Sequence, residues 1–286
     1  MRVLEYLVVR LVALLMRPLP MAAVRACGGV LGQFAFRVDR RHQRIALENL
    51  AAAFPSRTPA ERYVLARATF AHFGSLLLEL LRFGSYTPEQ ILASVDLDGV
   101  ERARQAHALG RGVLYVTGHF GYWEMAAIVH GLAIAPTSVL ARPLDNPALH
   151  ALLERTRTMT GNAVIYRQGA VRRMLRDLAG NRGIAVLIDQ HLQTDAVYVD
   201  FFGRPAATTT AVAALALRTG AVVIPVFALP LPGGRYRLVY ETPVPPPDAN
   251  DPDAIRTFTQ RCTDVLEMWV RRHPDQWLWM HRRWRA

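Results

Sequence analysis

The chain predicts an α/β fold, a mainly parallel mixed sheet flanked by helices, behind a helical amino-terminal segment. Three observations carry that expectation. Its 286 residues, 51% hydrophobic and 20% charged, have ordinary globular composition and length for a large core. The first quarter repeats apolar residues at three- and four-residue spacing, the period of helices. From residue 95 onward, short β-branched runs alternate with helical stretches, the pattern of strands joined by crossover helices.

The elements follow in order. Val3 to Met16 is almost wholly apolar, but Glu5 and Arg10 interrupt it and Arg17-Pro18 closes it, short of the roughly 20 residues that a membrane span needs. Arg10 and Arg17 bracket the run and argue against a cleaved signal peptide. A second apolar stretch, Met21 to Phe36, contains Arg25 and leads into Arg37, Arg40, Arg41, His42 and Arg44. Apolar helices beside arginines suit the interfacial plane of an anionic bilayer; a helical hairpin packed on the protein's own core is the alternative, and different helix faces can serve both.

Helices are expected over Ile45 to Phe54 and Pro59 to Phe83, where Thr58-Pro59 is a good start. Strands are expected over Gly112 to Thr117, Ser138 to Ala141, Ala163 to Tyr166, Ile184 to Ile188 and Val222 to Val226. Val197 to Phe201 and Arg235 to Tyr240 read as edge strands or hairpin arms. The proline-rich stretch Pro243 to Pro252 is a loop, Asp253 to Arg272 a long helix, and Pro274 the start of a last one. With no internal repeat, the organisation is a membrane-associating helical segment over residues 1–45 and an α/β domain over 46–286.

Charge narrows the chemistry. Thirty-four basic against 23 acidic residues give a net charge of +11, which favours anionic partners. None of the basic residues is lysine, which excludes a P-loop lysine and a Schiff-base mechanism. Cys27 and Cys262 are the only cysteines, too few for a disulfide framework or a thiolate metal site. The nine histidines lack metal-ligand spacing. No G-x-S-x-G, H-E-x-x-H or G-x-G-x-x-G motif is present, and the dispersed arginines form no nucleic-acid motif.

The most informative stretch is Val113 to Glu124, where an apolar strand ends at Gly118, His119 follows in the turn and a helix begins near Tyr122. Open α/β sheets place ligands just beyond the carboxyl ends of their strands. On one continuous helix His119 and Glu124 would lie about 140° apart; with His119 in the turn they can meet. Glu124 would then orient the imidazole while His119 removes a proton from a hydroxyl, or the two form a structural pair. Asp189, ending the strand Ile184 to Ile188, lines the same cleft if the two strands are neighbours, and otherwise caps a turn. Arg142, Asn146, Arg155 and Arg157 are polar residues in turn-like or helical surroundings. Phe201-Phe202-Gly203 reads as an apolar turn, and Thr208 to Thr210 as the capped start of an alanine-rich helix.

Together these residues resemble the lipid A late acyltransferase family, the lauroyl and myristoyl transferases of the lysophospholipid acyltransferase superfamily. The resemblance runs nearly end to end. It comprises Asn49-Leu50 with Phe54-Pro55, the His119 to Glu124 box, Arg142-Pro143 with Asn146, Arg157, Arg167, Asp189-Gln190, Phe201-Phe202-Gly203 with Thr208, and the tail from Pro274-Asp-Gln-Trp277 to His281-Arg-Arg-Trp284. One departure is His191, where family members commonly carry a second aspartate.

The resemblance implies a glycerolipid acyltransferase-like fold with His119 and Glu124 as the catalytic dyad. It also implies Arg157 and Asp189 in the active site, with Arg142, Asn146 and Arg167 as further substrate-binding candidates. The implied reaction is acyl transfer from a thioester on acyl carrier protein or coenzyme A, a cosubstrate, to a hydroxyl of a lipid A precursor. No metal or other cofactor and no nucleic acid is expected. The implied partners are anionic membrane lipid, the thioester carrier and a glycolipid acceptor, and the implied location is the cytoplasmic face of a bacterial inner membrane. An oxyanion stabiliser is also required, either backbone amides after Gly118 or an arginine. The sister reading is an acyltransferase for another glycolipid, an aminolipid or a lysophospholipid. A noncatalytic basic protein that binds membrane or nucleic acid is the reading from another class. Trp269, Trp277, Trp279 and Trp284 either sit at headgroup level, bind the carrier, or pack as aromatic faces.

Overall fold

The computed structural model describes residues 2–166, 169–192 and 194–284. Its first quarter is helical, as expected: α1 (Arg2–Met16), α2 (Met21–Val38), α3 (Arg40–Ala53), α4 (Pro59–Phe83) and α5 (Pro88–Ala93). Local chemistry sets the starts. The Asp39 side chain accepts from the His42 amide, and Thr58 with Glu61 and Thr87 with Gln90 form reciprocal capping boxes ahead of Pro59 and Pro88. Helix α2 packs on α4 with backbones in direct contact. A Cβ at Gly32 would lie 1.9 Å from the Phe70 carbonyl oxygen, and one at Gly74 would lie 2.2 Å from that of Gly28, so only hydrogen fits at this crossing. At the same crossing, the buried Glu79 carboxylate takes Arg25 of α2 and the hydroxyls of Tyr122 and Tyr236.

Beyond α5 the chain builds β1 (Val95–Asp98), α6 (Val100–Ala108), β2 (Val113–Thr117), α7 (Trp123–Ala133), β3 (Thr137–Leu140), α8 (Pro147–Thr158), β4 (Ala163–Ile165), α9 (Ala170–Ala179) and β5 (Gly183–Leu187). The hairpin β6 (Ala196–Asp200) and β7 (Pro205–Thr209) follows, then α10 (Ala211–Thr219), β8 (Val222–Leu231), β9 (Arg235–Tyr240) and α11 (Ala254–Arg272). Seven strands form one sheet in the order β1-β9-β8-β2-β5-β3-β4, every pair parallel except β8 with β9. This is the expected mixed, mainly parallel sheet.

One open alternative is decided and two local readings differ. Arg235 to Tyr240 is a hairpin arm but not an edge, because β1 covers it. Thr208 is not at a helix start: it lies in β7, fully buried, in a separate two-stranded sheet with β6. Pro274 opens only a single 3-10 turn over Pro274–Gln276, because the next residues leave the helix to pair with the main sheet's turn, as Phe120 does with Trp277.

The sheet separates two apolar cores. On one face Val113 and Tyr115 pack with Met125, Ile128 and Val129 of α7 and with Met21 and Val24 of α2. On the other, Leu114, Val116, Ile184 and Val186 pack with Met174 and Leu178 of α9, Val212 and Leu215 of α10, and Leu266 and Val270 of α11. The right-handed rule for parallel crossovers gives this division: β2-α7-β3 and β3-α8-β4 progress one way across the sheet, β4-α9-β5 and β5-α10-β8 the other.

Candidate active site

The register of two central strands assembles the site. β2 and β5 are parallel neighbours with Thr117 opposite Leu187, so the residues two places beyond each, His119 and Asp189, emerge side by side at the carboxyl edge. The strands are therefore neighbours, as the shared cleft required, but Asp189 is buried against the imidazole and does not itself line the open cavity, so it holds His119 and does not bind substrate. Asp189 is buried and its Oδ1 accepts from the His119 ring Nδ1 at 2.8 Å, while Oδ2 accepts from the His119 amide at 2.6 Å and from the Trp277 indole at 2.8 Å. Gly118 makes room for the carboxylate, since a Cβ there would lie 2.8 Å from Asp189 Oδ2 and 3.0 Å from Leu266 carbons.

Glu124 occupies the first turn of α7, where the helix dipole favours a carboxylate. Its hydrogen-bond partner is not the imidazole. It takes the Arg157 guanidinium of α8 in a bidentate pair, Nε to Oε2 at 2.8 Å with a second contact from Nη2 to Oε1. Local spacing suggested Glu124 as the carboxylate on the ring; the parallel pairing of β2 with β5 gives that position to Asp189.

Electrostatics couple the four groups. Burial alone would raise the Asp189 pKa, but the His119 charge and its ring and backbone N–H groups, with His281 nearby, hold it below the usual carboxylate range. Burial pulls His119 down, and the Asp189 carboxylate, then Glu124, outweigh it, so the imidazole is raised above its ordinary value. Burial likewise opposes the Arg157 charge, and the bond and attraction to Glu124 raise it overall.

The carboxyl-terminal segment packs against the turn that carries His119. The Leu278 amide donates to the His119 carbonyl at 3.0 Å, and the Gly121 amide donates to Gln276 O at 2.8 Å. Asn49 donates to the carbonyls of Trp279 and His281, 2.8 Å each. Phe54 packs edge-on against Phe202 and Trp279. Trp269, Trp277 and Trp279 are buried, so packing accounts for these three members of the tryptophan cluster. Arg283 is buried too, on the Ala207 carbonyl and the Thr208 hydroxyl; burial lowers its pKa to about 10 against the opposing pull of Asp189. The sequence pointed to this tail through its resemblance, but the roles of Trp277, Asn49 and Arg283 in bracing the site depend on contacts more than 70 residues apart.

His119, Glu124, Arg157 and Gln190 line a cavity of about 930 Å³ whose remaining wall is largely apolar. It reaches both faces of the sheet: Thr117, Ala126, Val139 and Leu187 line one side, and Val171, Leu175, Val186 and Ala214 the other. Arg142 is exposed at the same cavity, 3.8 Å from Asp145. Asn146 is not among the residues lining it; its side chain caps α8 through the amides of Ala148 and Leu149 and donates to Glu5. Arg167 lies outside the described residues. Among the described residues no group of three His, Cys, Asp or Glu side chains is placed to hold a metal ion.

A histidine–carboxylate pair at the carboxyl edge of the sheet opens onto a largely apolar cavity, and in sequence the chain is similar to acyltransferases. The lipid A biosynthesis lauroyltransferase of Escherichia coli is 28% identical over 272 residues, 94% of this chain and 87% of the relative. The lipid A biosynthesis myristoyltransferase of the same organism is 25% identical over 251 residues, 87% and 77%. The phosphatidylinositol mannoside acyltransferase of Mycolicibacterium smegmatis is 25% identical over 277 residues, 95% and 88%. The family model for bacterial lipid A biosynthesis acyltransferase matches residues 1–286, and the chain belongs to that family.

Proposed function

We propose that the protein moves a fatty acyl group from an acyl thioester, on acyl carrier protein or coenzyme A, to a hydroxyl of a lipid A precursor, at the cytoplasmic face of a bacterial inner membrane. The observation that carries the mechanism is the His119 ring held through Nδ1 on the buried Asp189 carboxylate. A proton fixed on Nδ1 leaves the Nε2 lone pair as the base. Nε2 takes the proton of the acceptor hydroxyl as its oxygen attacks the thioester carbonyl; collapse of the tetrahedral intermediate expels the thiolate, which recovers that proton from the imidazolium. Asp189 stabilises the imidazolium.

In this reading Glu124 acts with Arg157. Glu124 adds to the negative potential at His119, which Arg157 partly offsets, and it holds the guanidinium where an oxyanion or a lipid phosphate can meet it. The backbone amides of His119, Gly121 and Tyr122 are poor oxyanion donors, because they are already bonded to Asp189, Gln276 and Ala228. Arg157 and the Gln190 amide, 3.3 Å from His119 Nε2, are the better candidates. Arg142 and Arg167 remain substrate-binding candidates, and the apolar walls suit acyl chains. The outward Leu4, Leu7, Leu11, Leu14 and Leu15 of α1 and Val30 and Phe34 of α2, with the +11 charge, support attachment to an anionic bilayer. α4 is the one helix among the described residues long and apolar enough to cross a membrane, yet 44% of its apolar window is buried in the protein.

The mannoside acyltransferase relative favours a second reading in which the acceptor is another glycolipid. Purified protein is incubated with dodecanoyl thioesters of acyl carrier protein and of coenzyme A and with either acceptor class, and products are read by mass spectrometry. Acylated lipid A precursor, lost in His119→Ala, is the expected result; acylation of the mannosylated lipid alone selects the second reading, and transfer undiminished in His119→Ala removes the mechanism.

A further inference from the structure

We propose that the outer surface of α9 and α10 is the docking site for the acidic carrier protein that delivers the acyl thioester. This inference rests on the thioester-donor reading above and names the surface that reading lacks.

The groove between the two helices is part of the cavity that holds His119. Val171, Met174 and Leu175 of α9 face Ala214 and Leu215 of α10 across it. Helix α9 starts at the carboxyl edge of the sheet, directly after β4, so its first turn stands at the level of the catalytic groups. A chain entering beside Val171 passes into the same space as His119 without crossing the sheet.

The rim is partly apolar and more basic than acidic; Asp195, exposed beside the start of α10, lines the same cavity. Arg172 and Arg176 are four residues apart on the exposed face of α9, one above the other, and Arg218 of α10 lies on the opposite rim. None of the three has an ion-pair partner among the described residues. Asp177 is the only acid on either helix, and it is buried and committed to Arg173 and Ser138. Val171 is 59% exposed and Leu217 40%, so apolar side chains stand between the arginines. Unpaired arginines around a small apolar strip beside a substrate channel complement an acidic helix, and such charges govern encounter more than fold stability.

Position selects a protein partner over a lipid surface. The outward apolar residues of α1 belong to a helix that packs on α4 and α8, tied by Glu5 to Asn146, on the α7 and α8 side of the sheet. Helices α9 and α10 cover the opposite face. A bilayer on α1 leaves the arginine rim turned away, accessible to a soluble carrier.

The test uses the full-length protein, the double variant Arg172→Glu/Arg176→Glu, and a charge-matched control, Arg104→Glu/Arg237→Glu, at exposed positions of α6 and β9 near the β1 edge of the sheet. Steady-state transfer is measured with dodecanoyl thioesters of bacterial acyl carrier protein and of coenzyme A, beside fluorescence anisotropy of labelled carrier protein and sedimentation with phosphatidylglycerol vesicles. The rim variant is expected to raise KM for the carrier thioester and weaken carrier binding by about tenfold, with kcat, the coenzyme A reaction and vesicle binding unchanged, and with the control like wild type. Unchanged carrier binding, an equal rise with both thioesters, an equal loss in the control, or loss of vesicle binding instead overturns the proposal. If wild type transfers from neither thioester, the parent reading fails, and anisotropy still decides the docking surface by itself.

Discussion

Trp277 donates its indole N–H to Asp189 Oδ2 while the other oxygen of that carboxylate holds the His119 ring. A residue near the end of the chain thus fixes the carboxylate that fixes the base. Trp277→Phe keeps an aromatic ring in the same packing and removes one charge-assisted donor, a loss of roughly 1.5–3 kcal/mol. Urea unfolding should show that loss, and kcat/KM should fall. In an Asp189→Asn background the same substitution should cost clearly less, because the acceptor charge is gone. An equal cost in both backgrounds would show that the indole does not act through Asp189.

The pH dependence follows from the sign of the His119 shift. The base works only when deprotonated, and the carboxylates raise its pKa above the ordinary histidine value despite burial. The rising limb of kcat/KM against pH should therefore lie above the position of an unperturbed imidazole, about 6.5. Asp189→Asn removes the largest raising influence and leaves the desolvation that lowers, so the limb should move to lower pH while the plateau drops by about 10² or more. A limb that stays in place in the variant would assign it to another group.

Glu124 and Arg157 should behave as one unit. Their side chains are only 12% and 13% exposed, so removing one leaves the other charged and nearly buried. Either Glu124→Ala or Arg157→Ala should destabilise the fold by roughly 3 kcal/mol, and the double variant by less than the sum. All three should reduce transfer, yet retain the His119–Asp189 pairing seen by NMR of the imidazole. Additive stability losses would deny the pair its coupling.

Membrane attachment has its own test on α1. Leu7 and Leu11 are exposed and one helical turn apart. Burying each in a bilayer is worth roughly 1.5–3 kcal/mol, so Leu7→Gln/Leu11→Gln should weaken sedimentation with anionic vesicles by about 100-fold or more. The circular dichroism and urea midpoint should stay put, since neither side chain is in the core. Unaltered vesicle binding would move the contact to another surface.

The sheet was legible because apolar runs such as Val113 to Thr117 end abruptly in Gly118-His119, a feature contained within a few residues. What stayed hidden was which strands lie side by side. Glu124 was the natural carboxylate for His119 because it is five residues away; Asp189 is 70 away and reaches the ring only through the β2–β5 register. β7 escaped for a different reason: Pro205-Ala-Ala-Thr-Thr209 lacks alternating bulk, and its strand conformation comes from pairing with β6 and from Arg283 on Thr208. β1, four residues of Val-Asp-Leu-Asp, is too short to declare itself without β9 beside it.

Gly118 offers the sharpest separation of site geometry from fold. It precedes His119 at the strand end, and a methyl group on its Cα would press on the Asp189 carboxylate and on Leu266 at once. Neither neighbour gives way easily. Asp189 is held by three donors, and Leu266 is buried in the core between α11 and the sheet. Gly118→Ala should cost about 1–3 kcal/mol of stability from overpacking and lower kcat by about 100-fold through displacement of the carboxylate from the ring. Leu266→Ala opens space on one side of the added methyl. The combined Gly118→Ala/Leu266→Ala protein should therefore regain part of the stability lost to overpacking but little of the kcat, since the contact with Asp189 remains. Recovery of full kcat in the double variant would mean that the glycine matters only for packing against α11, and that the carboxylate tolerates the methyl.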